Sequence, residues 1–260
     1  STISIAAVID SPTITSDGGA ATAAVNVAEN STVVTTVTSS DPEGDTPLYS
    51  IVGGTDAARF SIDSSSGELT FVTAPDFEAP TDADTDNVYE VTVEVSDGSL
   101  TDTQAISVTV TSVNDNAPVI TSDGGGATAA VNVAENATAV TTVTATDADL
   151  PVQTLSYSIS GGLDAARFAI NPSSGALTFA SAPDFETPTD ADSDNVYEVT
   201  VEANDGLGMT DTQAISVSVT SVNDNAPVIT SDGGGATAAV SVAENATAVT
   251  TVTATDADLP

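Results

Sequence analysis

The chain has 260 residues, with 38 acidic side chains against two basic ones and a formal net charge of −36. This charge repels nucleic acids and anionic membrane surfaces, so neither is an expected partner. No apolar run reaches the roughly 18 residues of a membrane span, so direct membrane insertion is not expected. The lack of cysteine excludes disulfides and thiolate metal sites, and the lack of histidine and lysine removes the usual catalytic bases.

Internal repeats organise the sequence. The segment ITSDGG starts at residues 14, 120 and 229, and VAEN starts at residues 27, 133 and 242. We expect the chain to be a window from a longer array. The predicted units are the C-terminal strand of a preceding repeat at 1–11, complete repeats at 12–117 and 118–226, and the N-terminal part of a further repeat at 227–260.

Each complete repeat has the pattern of β-strands. In VYEVTVEV, residues 88–95, apolar and polar side chains alternate with a period of two, which is typical of a strand with one buried face. Seven short antiparallel strands predict an all-β fold of tandem Greek-key β-sandwiches in an elongated array. In the second repeat the strands are predicted at roughly 129–133, 139–145, 155–160, 167–170, 176–180, 196–203 and 213–220.

The acids fall at the ends of these strands. If successive strands alternate in direction, the first, fifth and seventh strands end at one pole of a repeat, and the second and sixth end at the other. Oxygen ligands from several segments, without a lysine to neutralise them, suit Ca²⁺ better than a solvated turn does. The acids and amides expected to meet at the first junction are Glu29, Asp76, Glu78, Asn114, Asp115, Asn116, Asp147, Asp149 and Asp205.

The repeats resemble bacterial cadherin-like domains. The resemblance is carried by AEN, PDFE, the linker VNDNAP, DAD after the second strand and DG after the sixth. It implies Ca²⁺ ions that rigidify successive domains at their linkers. The implied ligands at the first junction are Glu29, Asp76, Glu78, Asn114, Asp115, Asp147, Asp149 and Asp205, with backbone carbonyls of Val113 and Asn116. At the second they are Glu135, Asp184, Glu186, Asn223, Asp224, Asp256 and Asp258, with Val222 and Asn225.

The sequence departs from the family pattern in three places. Ser112 and Ser221 stand where the family usually begins its linker with Asp, and the first repeat has DPEGD at 41–45 in place of DAD. The incoming linker AAVIDSP, at 6–12, lacks Asn-Asp-Asn. We expect the array to be least regular there.

A second acidic feature is TDADTDN at 81–87, repeated as TDADSDN at 189–195. Its alternating aspartates are like the first half of an EF-hand loop, but the glycine and the late glutamate of that loop are missing. A further Ca²⁺ site and a solvated turn both remain open. The two bases, Arg59 and Arg167, are expected to pair locally with Asp56 and Asp164.

The chain is not expected to be an enzyme. Paired carboxylates can hydrolyse glycosides, but here the pairs recur in every repeat and no cleft is implied. The first hypothesis is a calcium-rigidified structural array outside a bacterial cell, forming the shaft of a surface adhesin or fibre. The alternative is a calcium-dependent binding module for polysaccharide or for homophilic cell–cell adhesion. The expected partners are adjacent repeats, other copies in a fibre or a surface glycan.

Overall fold

The computed structural model describes residues 9–258. Most of the strand expected at 1–11, and the first part of the AAVIDSP linker, lie outside the described residues. The chain divides into two compact units. The first runs to Asn116 and also includes Ala148–Val152, and the second is formed by Ala117–Asp147 and by the residues from Gln153 onward.

The first unit is a β-sandwich whose described residues form sheets of four, three and two strands. The four-stranded sheet has the order β2–β9–β8–β5, the three-stranded sheet β3–β7–β6, and β1 pairs with β4. The strands are β1 (Thr13–Ile14), β2 (Thr22–Ala28), β3 (Val33–Thr36), β4 (Ser39–Ser40), β5 (Leu48–Gly53), β6 (Phe60–Ile62), β7 (Glu68–Phe71), β8 (Val88–Ser96) and β9 (Thr101–Thr111), with short 3₁₀ helices at Ser16–Gly18 and Ala57–Arg59.

The second unit repeats this topology. Its sheets have the orders β11–β18–β17–β14, β12–β16–β15 and β10–β13, and a further pair joins β19 to β20. The strands are β10 (Val119–Ile120), β11 (Thr128–Ala134), β12 (Ala139–Thr142), β13 (Ala145–Thr146), β14 (Ser156–Gly161), β15 (Phe168–Ile170), β16 (Ala176–Phe179), β17 (Val196–Asn204), β18 (Thr210–Thr220), β19 (Val228–Ile229) and β20 (Ala254–Thr255), with 3₁₀ helices at Ser122–Gly124, Ala165–Arg167 and Ser231–Gly233.

The core follows from the alternation in β8. Val91, Val93 and Val95 are buried on one face of the strand, as the period of two predicts. Tyr89, on the same face, packs edge-on against Phe71 at a ring-centroid distance of 5.1 Å. The second unit has an equivalent core, so the all-β tandem prediction is confirmed.

Two details of the predicted strands are wrong. The strand expected at 139–145 is split, because β12 pairs with β16 whereas β13 pairs with β10. At the break, the N–H of Val143 donates to the carbonyl of Gly175 at 2.9 Å. This bond holds the chain at the point where it passes from one sheet to the other. The sandwich is also not wholly antiparallel, since β11 runs parallel to β18.

Candidate metal centres

Glu29 ties three segments of the first unit together. It directly follows β2 and is only 3% exposed. Its Oε2 accepts the N–H of Phe77 at 2.7 Å, and its Oε1 accepts the N–H of Val113, also at 2.7 Å. The carboxylate therefore holds both the PDFE segment and the start of the linker beside the end of β2.

Glu78 belongs to the first group of acids. One carboxylate oxygen from each of Glu29, Asp76 and Glu78 lies within 4.8 Å of the others. Asp76 is oriented by the N–H groups of Glu78 and Ala79, which its Oδ1 accepts at 3.0 and 3.1 Å. Glu78 Oε2 is buried and accepts no hydrogen bond. Burial raises the pKa of Glu78, and the negative charges of Glu29 and Asp149 raise it further.

Glu78 also belongs to a second group, with Asp115 and Asp149, whose oxygens again lie within 4.8 Å of one another. All three residues are in the first compact unit. Asp149 is 1% exposed, and its Oδ1 accepts both the backbone N–H and the side-chain amide of Asn116, at 3.2 and 2.8 Å. The N–H of Leu150 donates to Glu78 Oε1 at 3.1 Å. Glu78 is thus shared by two acidic groups.

Asn30 organises the same site, although it is not among the predicted ligands. It has a left-handed backbone with a φ of 63°, which asparagine tolerates better than most residues. Its N–H donates to the carbonyl of Pro75 at 2.9 Å, and its side-chain amide donates to Asp115. The AEN motif therefore supplies a carboxylate and an amide that positions another carboxylate.

The second unit builds a related site, with one acidic group among the described residues where the first unit has two that share Glu78. Glu135 is 3% exposed and accepts the N–H groups of Phe185 at 2.8 Å and Val222 at 2.6 Å. Its carboxylate lies within 4.8 Å of those of Glu186 and Asp224. Glu186 Oε2 is buried and accepts no hydrogen bond. Burial raises the pKa of Glu186, and the charge of Glu135 adds to the effect.

Linker amides orient acids in the second unit too. The backbone N–H and the side-chain amide of Asn225 each donate to Asp258 at 2.8 Å. These bonds, the side-chain one first, lower the pKa of Asp258. Asn136 donates its amide to Asp224 at 2.6 Å, as Asn30 does to Asp115. The second site thus repeats the pattern of the first.

Some of the predicted ligands lie outside these acidic groups. Asp147 and Asp205 are in the second unit and belong to none of the acidic groups among the described residues. Asp205 Oδ1 accepts the N–H groups of residues 207–209 at 2.7–3.1 Å. All the ligand roles stay predictions, both for the residues of the acidic groups and for those outside them, which are Asp147, Asp184, Asp205, Asp256 and Asp258, the amides of Asn114 and Asn223, and the carbonyls of Val113, Asn116, Val222 and Asn225.

The donor set fits a hard cation. Ca²⁺ takes oxygen ligands at about 2.3–2.6 Å, so two oxygens on one ion lie no more than about 5 Å apart. The 4.8 Å limit within each group meets this condition. Glu78 Oε2 and Glu186 Oε2 are buried acceptors without a donor, which a cation would satisfy.

The comparison with protein families decides what these units are. The family model described as "Cadherin domain" matches residues 23–111 and 129–220. The chain belongs to the cadherin domain family. Its two units are thus tandem cadherin repeats, the β-sandwich repeats of extracellular adhesion proteins, and Ca²⁺ is a general ligand of such domains.

Individual cadherins give the degree of similarity. Protocadherin Fat 1 of Homo sapiens is 35% identical over 189 residues, which cover 69% of this chain and 4% of that protein. Protocadherin Fat 4 of Mus musculus is 32% identical over 212 residues, covering 77% of this chain and 4% of that protein. The chain spans only a small part of the length of these relatives.

Solved cadherin structures share the fold. The crystal structure of mouse Cadherin-23 EC22-24 has a TM-score of 0.68 and 25% identity, and the comparison covers 96% of this chain and 78% of that one.

Between residues 9 and 258, no helix has the length and apolar character that a membrane crossing requires.

Proposed function

We propose that this chain is part of an extracellular, calcium-dependent array of cadherin repeats with a structural role, in the shaft of a surface adhesin or fibre. The observation that carries the proposal is Glu78, whose carboxylate is shared by two acidic groups and keeps one buried oxygen without a donor. The proposed role is not enzymatic. Placement at a bacterial surface stays a prediction, since the relatives named above are animal proteins.

Ca²⁺ would act by joining chain segments that otherwise repel one another. The Glu78 groups combine carboxylates from the end of β2, from the PDFE segment, from the linker at Asp115 and from the segment 148–152. An ion there neutralises charge that no lysine can balance, and it orders the linker. Extracellular sites bind with Kd values of roughly 10⁻⁴–10⁻³ M. At about 10 mM calcium, each such site adds about 1.4–2.7 kcal/mol to the free energy of unfolding.

The direct test is removal of calcium from the full chain. We expect EDTA to lower the melting temperature and small-angle X-ray scattering to show a more flexible particle, and both effects should reverse with added Ca²⁺. The double variant Glu78→Gln/Glu186→Gln should respond much less to calcium. Glu94→Gln/Glu202→Gln removes the same charge from β8 and β17, away from the acidic groups, and should respond as the parent does.

An unchanged melting temperature and scattering profile in EDTA would contradict the structural proposal. Equal calcium responses of the two double variants would contradict the assignment of the ions to Glu78 and Glu186.

The alternative is a calcium-dependent binding module, and family membership favours its homophilic form over its polysaccharide form. Cadherin repeats belong to adhesion proteins, whereas sugar platforms usually present exposed aromatic rings. All ten aromatic side chains of this chain, four Tyr and six Phe, are buried or half-buried. Analytical ultracentrifugation with and without calcium tests self-association, and a glycan array tests the polysaccharide form.

A further inference from the structure

Residues 81–87, the last part of the connection between β7 and β8, form a loop that a buried aspartate fixes to the repeat. Rather than pairing with Arg59, Asp56 accepts the N–H of Ala83 on Oδ1 at 2.8 Å and the N–H of Glu90 on Oδ2 at 2.9 Å. These bonds join the loop to the start of β8. The acidic side chains of the loop are therefore carried on an anchored backbone.

The three alternating aspartates of this loop face one another. One oxygen from each of Asp82, Asp84 and Asp86 lies within 4.8 Å of the others. Asp82 is 4% exposed, and its Oδ2 accepts the N–H of Asp86 at 2.8 Å. Its Oδ1 is buried and accepts no hydrogen bond from the described residues. A buried carboxylate oxygen without a donor, beside two further carboxylates, is costly unless a cation satisfies it.

The second repeat reproduces this arrangement. Asp190, Asp192 and Asp194 each place one oxygen within 4.8 Å of the others. Asp190 is 5% exposed, its Oδ2 accepts the N–H of Asp194 at 2.8 Å, and its Oδ1 is again buried without a donor. The same unsatisfied buried oxygen at the same position in two repeats indicates a built feature rather than a chance orientation of one side chain.

Mutual repulsion makes each loop unfavourable without a counter-ion, because three carboxylate oxygens lie within 4.8 Å of one another. The chain has only two basic residues, so a bound cation is the available means of neutralisation.

We propose that each of these loops binds one Ca²⁺ within a single cadherin repeat, through Asp82, Asp84 and Asp86 in the first and Asp190, Asp192 and Asp194 in the second. These sites go beyond the proposed function, since none of their residues belongs to the Glu78 or Glu186 groups. Three chain carboxylates leave coordination positions for water, which suits the six to eight oxygens of Ca²⁺. The irregular geometry that Ca²⁺ accepts favours it over Mg²⁺, which demands a near-ideal octahedron.

The first test counts bound ions in the full chain by chelator competition. Asp84→Asn/Asp192→Asn changes two exposed side chains, so folding should be preserved, and we expect it to bind one ion fewer per repeat than the parent. The matched control Glu94→Gln/Glu202→Gln loses the same charge and should bind as many ions as the parent. Equal ion counts for the aspartate variant and its control would overturn the proposal.

A second measurement separates these sites from the acidic groups at the linkers. The hydroxyl of Tyr89 accepts the N–H of Thr81 at 3.1 Å, and Tyr197 does the same for Thr189, so a tyrosine adjoins each loop. Tb³⁺ bound there in place of Ca²⁺ should luminesce on tyrosine excitation.

Because Tyr89 also lines a cavity with Asp76 of the Glu78 group, the comparison is made in the Glu78→Gln/Glu186→Gln background. We expect this variant to keep luminescence and the addition of Asp84→Asn/Asp192→Asn to remove most of it. Unchanged luminescence after that addition would overturn the loop sites. A loss of calcium-dependent rigidity in the glutamate variant alone bears on the proposed function and leaves the loop sites unaffected.

Discussion

At the scale of single residues, the chain keeps carboxylates where burial and like charge oppose ionisation. Glu78 is the clearest case, because burial raises its pKa and the charges of Glu29 and Asp149 add to the effect. A carboxylate whose ionisation is opposed in this way, and which belongs to two acidic groups, is what a site stabilised by a bound ion would contain.

Because burial and like charge oppose the ionisation of Glu78, we expect its replacement by Gln to stabilise the calcium-free chain and to weaken calcium binding. Glu78→Gln should raise the calcium-free free energy of unfolding near neutral pH, by up to about 1 kcal/mol because solvent screens a half-exposed group. The same change should weaken calcium binding by at least about tenfold. Urea unfolding in EDTA and calorimetric titration measure the two effects. Glu68→Gln, on an exposed residue of β7, is the control and should change neither. A loss of calcium-free stability in Glu78→Gln would contradict the prediction.

The direction of the pH dependence follows from the raised pKa of Glu78. Its ordinary value is 4.5, so just above that pH the native chain holds more protons at this site than the unfolded chain does. The contribution of Glu78 to calcium-free stability therefore falls as pH rises through its folded pKa. In EDTA, the stability advantage of Glu78→Gln over the parent should be present near pH 7 and should disappear below about pH 4.5. An advantage that grows on acidification would contradict this assignment.

At the scale of elements, glycines set how closely the strands approach. Gly54 follows β5 with a φ of 105°, and a Cβ there would lie 2.3 Å from the carbonyl oxygen of Glu90 and 2.5 Å from Cα of Val91. Gly98, between β8 and β9, has a similar φ of 97° but open space around it. Substitution of both glycines by alanine therefore distinguishes the free-energy cost of the backbone conformation, which both share, from the cost of the steric clash, which only Gly54 has.

Gly54→Ala should therefore destabilise the first repeat more than Gly98→Ala does. Both variants incur roughly 1–3 kcal/mol for the backbone conformation, and Gly54→Ala adds roughly 1–3 kcal/mol for the clash with β8. Thermal unfolding of the two variants measures the difference. Equal losses of stability would show that β8 moves away at little cost.

The elements also show what the sequence can predict. The period of two located β8 and β17, because each has one buried face, and the acidic motifs at strand ends were found because acids at turns are conspicuous. The break between β12 and β13 was missed, since it depends on Val143 meeting a carbonyl 32 residues away at Gly175. The role of Asn30 was missed for the same reason, because its partners at Pro75 and Asp115 are distant in sequence.

At the scale of the whole molecule, the net charge of −36 raises the question of how the fold tolerates its acids. General screening by salt acts on all exposed charges, whereas Ca²⁺ acts where several carboxylates meet. Binding of Ca²⁺ has specific places to act in this chain, namely the acidic groups of Glu78 and Glu186 and the two aspartate loops. If the acids were only a general adaptation to salty water, monovalent salt would stabilise the fold as well as Ca²⁺ does.

A salt series in EDTA separates the two mechanisms. Between about 10 mM and 1 M NaCl the Debye length falls from roughly 30 Å to 3 Å, so repulsion between exposed acids is largely removed and the melting temperature should rise. Addition of about 10 mM CaCl₂ at 1 M NaCl should raise it again, by at least about 5 °C if one site adds about 1.4 kcal/mol to a domain of this size. Glu78→Gln/Glu186→Gln should lose most of the second rise and keep the first, because it removes only two of 38 acids. If calcium adds nothing at high NaCl, the acids serve solvation and the calcium-dependent role is wrong.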